Sequence, residues 1–511
     1  MASGLLLTAA FPKIGLDGLA WVALAPLLGV LNAVRPGEAF RRGTVFGIVH
    51  FVSLLYWLVP TMVKYGHLPT SLSIAILFLF AAVLSVVFVG PMTCGFALAG
   101  RTPLRALLFF PVFWVAADFL RSFLLTGFPW ALLGCSQYRR LHLIQMVDIL
   151  GVYGLSGLIA FANAALLLGC LAAAGKPWYG NPVGRRFALA GAAAAVLLIG
   201  LTWLYGEMRI AQVDRMAAEA PSARVAVIQG NIEQSQKWDP AFQRATIEQY
   251  LRLSFAALRD RPELIVWPES AAPFYFLADG PPTRMVMQGI AESGAYFLIG
   301  APAFDVRGQQ RDYFNSAYLL GPHPEVLGRY DKAHLVPYGE YTPFKEFLPF
   351  LGKIVEHVGD FRPGEKGRTL EWKGRKLGIQ ICYEIIFPQL SRAQVRSGAE
   401  LLITITNDAW YGKTAGPYQH FSLAVLRAVE NRRALARAAN TGISGFIDPA
   451  GRLLDLTPLM EAAAVVRELP LLDTFTLYTR WGDAGAAICL SAAAAITLWA
   501  LRGRQRTKKP S

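Results

Sequence analysis

The sequence predicts a chain of two parts: a polytopic α-helical membrane domain of about eight spans, and an α/β domain set in before the last span. Three observations predict this. Hydrophobic residues make up 54% of the 511, with a mean hydropathy of +0.38, too apolar for a pair of soluble domains. The apolar residues gather near both ends in runs long enough to cross a bilayer. Between Glu207 and Gly482 the pattern changes: 31 Lys/Arg stand against 30 Asp/Glu, and apolar stretches shorten to strand length. The expected boundaries are 1–206 for the N-terminal helices, 207–482 for the α/β domain, and 483–511 for the last span and a basic tail.

The first element, Ser3–Phe11, is apolar but short for a full crossing. Leu19–Val34, Thr44–Val63, Leu72–Ala99, Ala106–Leu125, Gly154–Ala174, Phe187–Tyr205 and Ala484–Leu501 each approach the ~20 residues that cross ~30 Å of hydrocarbon. No basic cluster precedes the first apolar stretch, which argues against a cleaved signal peptide. The formal charge of +14 sits around these runs, with 18 basic against 5 acidic residues in the flanks. That distribution speaks for membrane topology and against nucleic-acid binding. One set of connections holds Arg35, Arg41, Arg42, Arg101, Arg105, Lys176, Arg185, Arg186 and five basic residues of the tail. The other holds Lys13, Lys64, Arg121, Arg139 and Arg140, a ratio of 13 to 5. The richer set is expected in the cytoplasm, which puts the α/β domain across the membrane, in a bacterium the periplasm.

Glu207–Ala220 reads as a helical linker closed by Pro221. Short β-branched runs follow at Ala223–Asn231, Glu263–Ser270, Tyr296–Pro302, Phe314–Gly321, Lys376–Cys382, Glu400–Asp408 and Ser444–Gly451. Amphipathic stretches alternate with them at Phe242–Arg259, Thr283–Ser293, Pro388–Ser397 and Gln419–Ala439. Continuous apolar strands separated by helices describe buried sheets with helices over them.

Three chemical groups fall at expected strand ends. Glu269 follows "LIVWP", Lys332 lies in "GRYDKAHLVPYGEYTPF", and Cys382 closes "KLGIQIC". A lone strand-end Glu or Lys is usually a solvated surface group. Cys382 is different, because a free thiol on the oxidising side of a membrane calls for a chemical role. Cys94, Cys170 and Cys489 fall within apolar runs and Cys135 in a loop; five irregularly spaced cysteines make no disulfide framework. His323, His334, His357 and His420 show no metal-binding spacing, so no metal is expected. His334 and His420 remain candidates to pair with Cys382, though neither lies in a recognisable local signature.

The order Glu, Lys, Cys, with "VIQGN" before and "ITNDAWYG" after, resembles the carbon–nitrogen hydrolase (nitrilase) superfamily. More narrowly, "WPESAAPF", "YDKAHLVPYGEYTPF", "ICYEIIFP", "NDAWYGKTAGPYQHF" and "ARAANTGISGFIDPAG", with "FPKIGLDGLAWVALAPLL" near the start, resemble the bacterial apolipoprotein N-acyltransferase family. The resemblance implies an αββα sandwich for the α/β domain and a catalytic set of Glu269, Lys332 and Cys382. A thiol is only a few per cent ionised at neutral pH, so it needs a base and a nearby cation. Glu269 would take its proton, and Lys332 would stabilise the thiolate and a tetrahedral oxyanion. Glu340, Tyr383, Glu384, Trp238 and Asn315 match supporting or substrate-binding positions of the family. The apolar segment Thr342–Phe361 reads either as packing or as an arm at the lipid surface.

The expected reaction is acyl transfer in two halves. Cys382 takes an acyl chain from a phospholipid, by resemblance the sn-1 chain of phosphatidylethanolamine. The resulting thioester then passes it to the N-terminal α-amine of diacylglyceryl-cysteine in an apolipoprotein, without a cofactor. A membrane-anchored amidase or esterase that transfers to water, and a non-catalytic scaffold, are the alternative readings.

Overall fold

The computed structural model describes residues 1–278, 280–342 and 361–506, which gather into two compact units. One comprises Met1–Val59, Leu68–Ile210 and Trp481–Ser511; the other comprises Pro60–His67 and Ala211–Arg480.

The first unit is helical. Among the described residues, five helices are long and apolar enough to cross a membrane: Thr70–Ala99, Pro103–Arg121, Val147–Ala173, Arg185–Glu219 and Ala484–Gln505. The bent pair Pro36–Leu54 and Leu58–Gly66 makes a sixth if taken as one span. The expected count of about eight therefore falls to five or six. Ser3–Phe11 forms only a short helix, Ala2–Ala9, and Leu19–Val34 is broken into a 3-10 turn, Asp17–Trp21, and a short helix, Ala25–Val30. Asn163 explains how an apolar segment tolerates that break. Its Oδ1 accepts from the Leu24 and Ala25 amides at 2.8 and 3.1 Å, and its Nδ2 donates to the Ala20 carbonyl at 2.9 Å. Backbone groups freed within hydrocarbon need such a partner. Phe187–Tyr205 and the linker after it form one helix of 35 residues, Arg185–Glu219, because nothing before Pro221 breaks it.

The second unit stacks two six-stranded sheets. The first contains β1 (Ser222–Gln229), β2 (Leu264–Val266), β3 (Tyr296–Arg307), β4 (Gln310–Leu320), β5 (Val326–Asp331) and β12 (Ala463–Pro470), in the order 12-1-2-3-4-5. The second contains β6 (Thr369–Trp372), β7 (Arg375–Ile381), β8 (Leu401–Thr406), β9 (Ala434–Ala439), β10 (Gly445–Ile447) and β11 (Leu453–Leu454), in the order 11-10-9-8-7-6. β1–β2–β3 and β7–β8–β9 are the parallel cores of the two sheets, with Ile379 opposite Ile403 and Ile403 opposite Ala436.

Alternation along the strands builds the layers. Val225, Val227, Leu264 and Val266 face Leu377, Ile379, Ile381 and Ile403 between the sheets. Ala226, Ile228, Ile265 and Trp267 face outward onto Ile247 and Tyr250 of helix Pro240–Ala257 and Val286 and Ile290 of helix Gly280–Ser293. Helices Pro388–Arg396 and Gly416–Asn431 pack on the second sheet, completing an αββα sandwich. Both faces of each core strand are thus buried, which is why these strands read as continuous apolar runs.

One expected helix is wrong. Gln419–Ala439 is helical only to Asn431; Arg432 turns left-handed at φ 50°, and Ala434–Ala439 becomes β9 between β8 and β10. Alanine and arginine favour a helix, but the slot between two buried strands decides. Arg432, Arg433 and Arg437, for which a helix would offer a solvated or salt-bridged face, are wholly buried, and Arg437 pairs with Asp408 at 2.9 Å. β6, β9, β11 and β12 were not expected as strands, and β5 only as the strand end at Lys332. Of the apolar segment Thr342–Phe361, residues 343–360 lie outside the described residues.

Candidate active site

β7 is apolar to its last residue and then turns at once. Cys382 takes φ 54°, a left-handed conformation that is strained for a residue with a side chain, and opens the 3-10 turn Cys382–Ile386 before helix Pro388–Arg396. Strand, sharp turn and helix bring a buried thiol to the end of a parallel sheet. Glu384 fixes that turn. Its carboxylate accepts from the Ile381 amide at 2.7 Å, the Ala333 amide at 2.6 Å, the His334 amide at 3.0 Å and the Tyr330 hydroxyl at 3.0 Å. Burial pushes Glu384 up to about 7 while these donors and Lys332 pull it down. All four partners donate, so the geometry suits the ionised carboxylate. Glu384 thereby ties the cysteine's turn to the backbone that follows Lys332.

Glu269 and Lys332 come from the other sheet. Trp267-Pro268 ends β2 and delivers Glu269; Lys332 directly follows β5, its amide held by the Asn315 carbonyl at 2.8 Å. Lys332, only 1% exposed, lies with Nζ 3.0 Å from Glu340 and 3.5 Å from Glu269. Asn315 on β4 donates to both carboxylates, at 2.8 Å to Glu269 and 2.7 Å to Glu340. The second oxygen of Glu269 accepts from the Asn407 amide at 3.0 Å, and that of Glu340 from the Val336 amide at 2.8 Å. Each carboxylate is thus oriented by at least two donors. Gly300 makes room behind Glu269: a Cβ there would lie 2.4 Å from the Pro268 carbonyl oxygen and 2.7 Å from the Glu269 Cα.

The electrostatics divide the roles. Burial, then the Glu269 carboxylate, pushes the Cys382 thiol above its ordinary range, with Lys332 opposing. The resting group is therefore a neutral thiol that needs a base. Burial alone would discharge Lys332, but Glu340 and Glu269, with Cys382, outweigh it and hold the ammonium above the usual lysine range. A second ammonium also serves the cluster. Lys237, 1% exposed, donates to the backbone carbonyl of Glu269 at 2.8 Å; burial lowers it to about 8, with Glu269 and Cys382 opposing. Lys332 and Lys237 thus set two ammoniums beside Glu269 and Glu340 around the thiol.

The structure brings together Glu269, Lys332, Glu340, Asn315, Cys382 and Glu384. Tyr383 is buried beside them with its ring 5.2 Å from Phe387 and 5.9 Å from His334. Trp238 is half-buried next to Lys237, and none of the hydrogen bonds described for the cluster involves it. Neither histidine makes a papain-like pair. His334 stacks near Phe387, and His420 Nε2 bonds the Cys382 carbonyl oxygen at 3.1 Å. Sequence reasoning missed Lys237, Asn407, Asp408 and Arg437, and weighed His420 only as a partner of the Cys382 thiol, whereas it meets the Cys382 carbonyl. Lys237 sits one residue from Trp238 and Asn407-Asp408 lies inside "ITNDAWYG", so their motifs held the only signal. Among the described residues, no group of three or more His, Cys, Asp or Glu is arranged to hold a metal ion.

Residues 3–165 match the apolipoprotein N-acyltransferase N-terminal domain, and residues 224–474 match carbon-nitrogen hydrolase. An apolipoprotein N-acyltransferase of Geobacter metallireducens is 43% identical, covering 98% of this chain and 94% of that protein. One from Methylococcus capsulatus is 34% identical over 94% and 92% of the two chains. Among solved structures, an amidase from Nesterenkonia sp. is similar at 24% identity and a TM-score of 0.38, covering 52% of this chain and 95% of that one. With both segments matched and relatives aligned along nearly its whole length, the chain belongs to the apolipoprotein N-acyltransferase family.

Proposed function

We propose that the chain transfers an acyl group from a phospholipid to the N-terminal α-amine of an apolipoprotein's diacylglyceryl-cysteine, with Cys382 as the carrier. The observation that carries this reading is the meeting of Glu269, Lys332 and a neutral, buried Cys382 thiol at facing sheet ends. Glu269 takes the thiol proton as Cys382 Sγ attacks the ester carbonyl, and the Lys332 ammonium steadies the oxyanion. The intermediate collapses by breaking the ester C–O bond; Glu269 returns the proton to the departing alkoxide, leaving a lysophospholipid and an acyl thioester. In the second half the free amine attacks the thioester, Glu269 accepts a proton from the amine, and the C–S bond breaks. The proton goes back to the Cys382 thiolate. Cysteine suits the task, because a thioester persists until a second substrate arrives yet yields to an amine.

The donor is proposed to be phosphatidylethanolamine, giving up its sn-1 chain, and the catalytic domain to lie on the periplasmic side of the inner membrane. The 13-to-5 bias of basic residues supports that side. A reporter active only in the periplasm should work when fused after Tyr205 and fail after Arg504; the reverse would overturn the topology. For the chemistry, full-length protein is incubated with phospholipid alone and its intact mass measured. A hydroxylamine-labile acyl mass should map to Cys382 and be absent in Cys382→Ala. An acyl group on Ser270 or Ser444 would refute the assignment, and rapid release of free fatty acid without an amine would favour a hydrolase.

A further inference from the structure

The left-handed turn at Cys382 has two tethers. Glu384 holds the residue before it, through the Ile381 amide, and His420 holds the Cys382 carbonyl. His420 Nε2 must carry a hydrogen, since a carbonyl oxygen only accepts. The opposite edge of the ring is held as well: Nδ1 lies 3.0 Å from Arg437 Nη2, which donates to it in the neutral ring, and 2.9 Å from Asp408 Oδ1, to which it donates in the imidazolium. Arg437 also donates to Asp408 Oδ2 at 2.9 Å, and Thr406 Oγ1 donates to Asp408 Oδ1 at 2.9 Å. All of these side chains are wholly buried. A buried ion pair that does nothing but stabilise is a costly device. This one aims a donor at the backbone of the nucleophile.

Asp408 begins the turn Asp408–Tyr411, and that turn is held from a distant part of the chain. In helix Leu58–Gly66, Thr61 Oγ1 donates to the Trp410 carbonyl at 2.8 Å and Tyr65 OH to the Ala409 carbonyl at 2.9 Å. The Tyr65 ring meets the Trp410 ring edge-on at 4.9 Å. Thr61 and Tyr65 are four residues apart, so one helix face makes every one of these contacts. The segment sits in sequence between apolar runs, about 150 residues before the catalytic domain begins, yet packs with it in one compact unit.

The geometry points to a positioning relay for the acyl-transfer reaction: Thr61 and Tyr65 fix the Asp408–Tyr411 turn, Asp408 and Arg437 fix His420, and His420 fixes the backbone of Cys382. The relay rests on Cys382 being the nucleophile. None of its members touches substrate in this account. They keep the thiol at the place from which Glu269 can take its proton.

The test uses full-length protein in phospholipid nanodiscs, and conservative variants. Tyr65→Phe keeps the ring contact and loses the hydroxyl; Thr61→Val keeps the shape. His420→Gln retains an amide donor, and His420→Leu has none. Three quantities are measured: alkylation of Cys382 by iodoacetamide, single-turnover thioester formation from phospholipid, and Tm. The Tyr65→Phe/Thr61→Val pair should slow alkylation and acylation together, each on the order of tenfold, with Tm unchanged. His420→Leu should lose at least as much, and His420→Gln should stay within about threefold of wild type. Unchanged alkylation in the Tyr65→Phe/Thr61→Val protein would overturn the relay, even if phospholipid acylation fell, because the segment would then serve lipid access. A fall in Tm, with His420→Gln no better than His420→Leu, would also overturn it by reducing the cluster to structural support. If His420→Leu does not fold, the Tyr65 and Thr61 variants decide alone. Acyl mass found away from Cys382 in the wild type refutes the proposed function instead, a result distinct from equal acylation of Cys382 in wild type and variants.

Discussion

Replacing Lys332 is the sharpest test of the charge cluster. Its Nζ, itself buried, lies 3.0 Å from Glu340 and 3.5 Å from Glu269. At an effective dielectric of about 20, each contact amounts to about 5 kcal/mol of attraction before desolvation is charged against it. Lys332→Met leaves the buried Glu269 carboxylate and the half-buried Glu340 carboxylate without their shared cation. Removing one partner of a buried pair typically costs about 3–5 kcal/mol, so the folded protein should lose stability on that order. Lys332→Arg separates charge from shape. Guanidinium keeps the positive charge but is planar, larger and directional, so it cannot present one compact donor to both carboxylates and a developing oxyanion. Losing an oxyanion donor typically costs about 10²–10³ in rate, or ~3–4 kcal/mol. We therefore expect Lys332→Arg to slow thioester formation by at least that factor while unfolding close to wild type. The assay is single-turnover acylation of Cys382 followed by intact mass, alongside thermal unfolding. Near-wild-type acylation in Lys332→Arg would refute the argument and leave Lys332 a general source of positive charge.

Other changes probe the surrounding framework. Glu384→Gln replaces an acceptor of four donors with an amide that must point its own N–H groups at some of them; we expect a loss of about 2–3 kcal/mol in unfolding free energy and a slower thioester step, read by denaturant titration and intact mass. Lys237 should give acylation an alkaline limb: as pH rises through about 8 its ammonium neutralises, the cluster loses a positive charge beside Glu269, and the thiolate becomes harder to form. Rates measured from pH 6 to 10 should fall above about 8 in wild type, and Lys237→Met should run slower at neutral pH without that limb. Gly300→Ala places a methyl group against the Pro268 carbonyl and the Glu269 backbone; acylation should fall on the order of tenfold or more while the sandwich stays folded, as checked by circular dichroism.

What the sequence disclosed follows from burial. β7 and β8 lie inside the sandwich with both faces covered, so "KLGIQI" and "LLITIT" are mainly apolar or β-branched and legible. β12 lies at a sheet edge with much of its surface partly exposed, and "AAVVRELP" carries charge that hides it. β9 is hidden differently. "ALARAA" is built from good helix formers, and only its neighbours β8 and β10 impose an extended chain. In the site, Glu269 and Cys382 were legible because each stands where an apolar run stops, and Lys332 through the motif around it. Asp408, His420 and Arg437 were not, because their meaning lies in one another: a turn, a helix and a strand converge on a carbonyl that no linear pattern marks. The broken helix at Leu19–Val34 was illegible for the same reason, since Asn163, far along the chain, satisfies it.

The pairing of β1 with β12 makes the sandwich begin and end at one spot. Ser222 is opposite Pro470, and the Leu471 amide donates to the Pro221 carbonyl at 2.8 Å, so the entering and leaving strands are neighbours at the seam. The long segment 221–471 therefore enters and leaves the helical chain at a single connection, while Pro60–His67 joins the same unit from elsewhere in the sequence. The same adjacency lets a short peptide join residues 221 and 471 and new termini be opened elsewhere on the surface. Only the segment Pro60–His67, which packs in the same unit, would have to travel with the sandwich for such a rearrangement to keep its contacts.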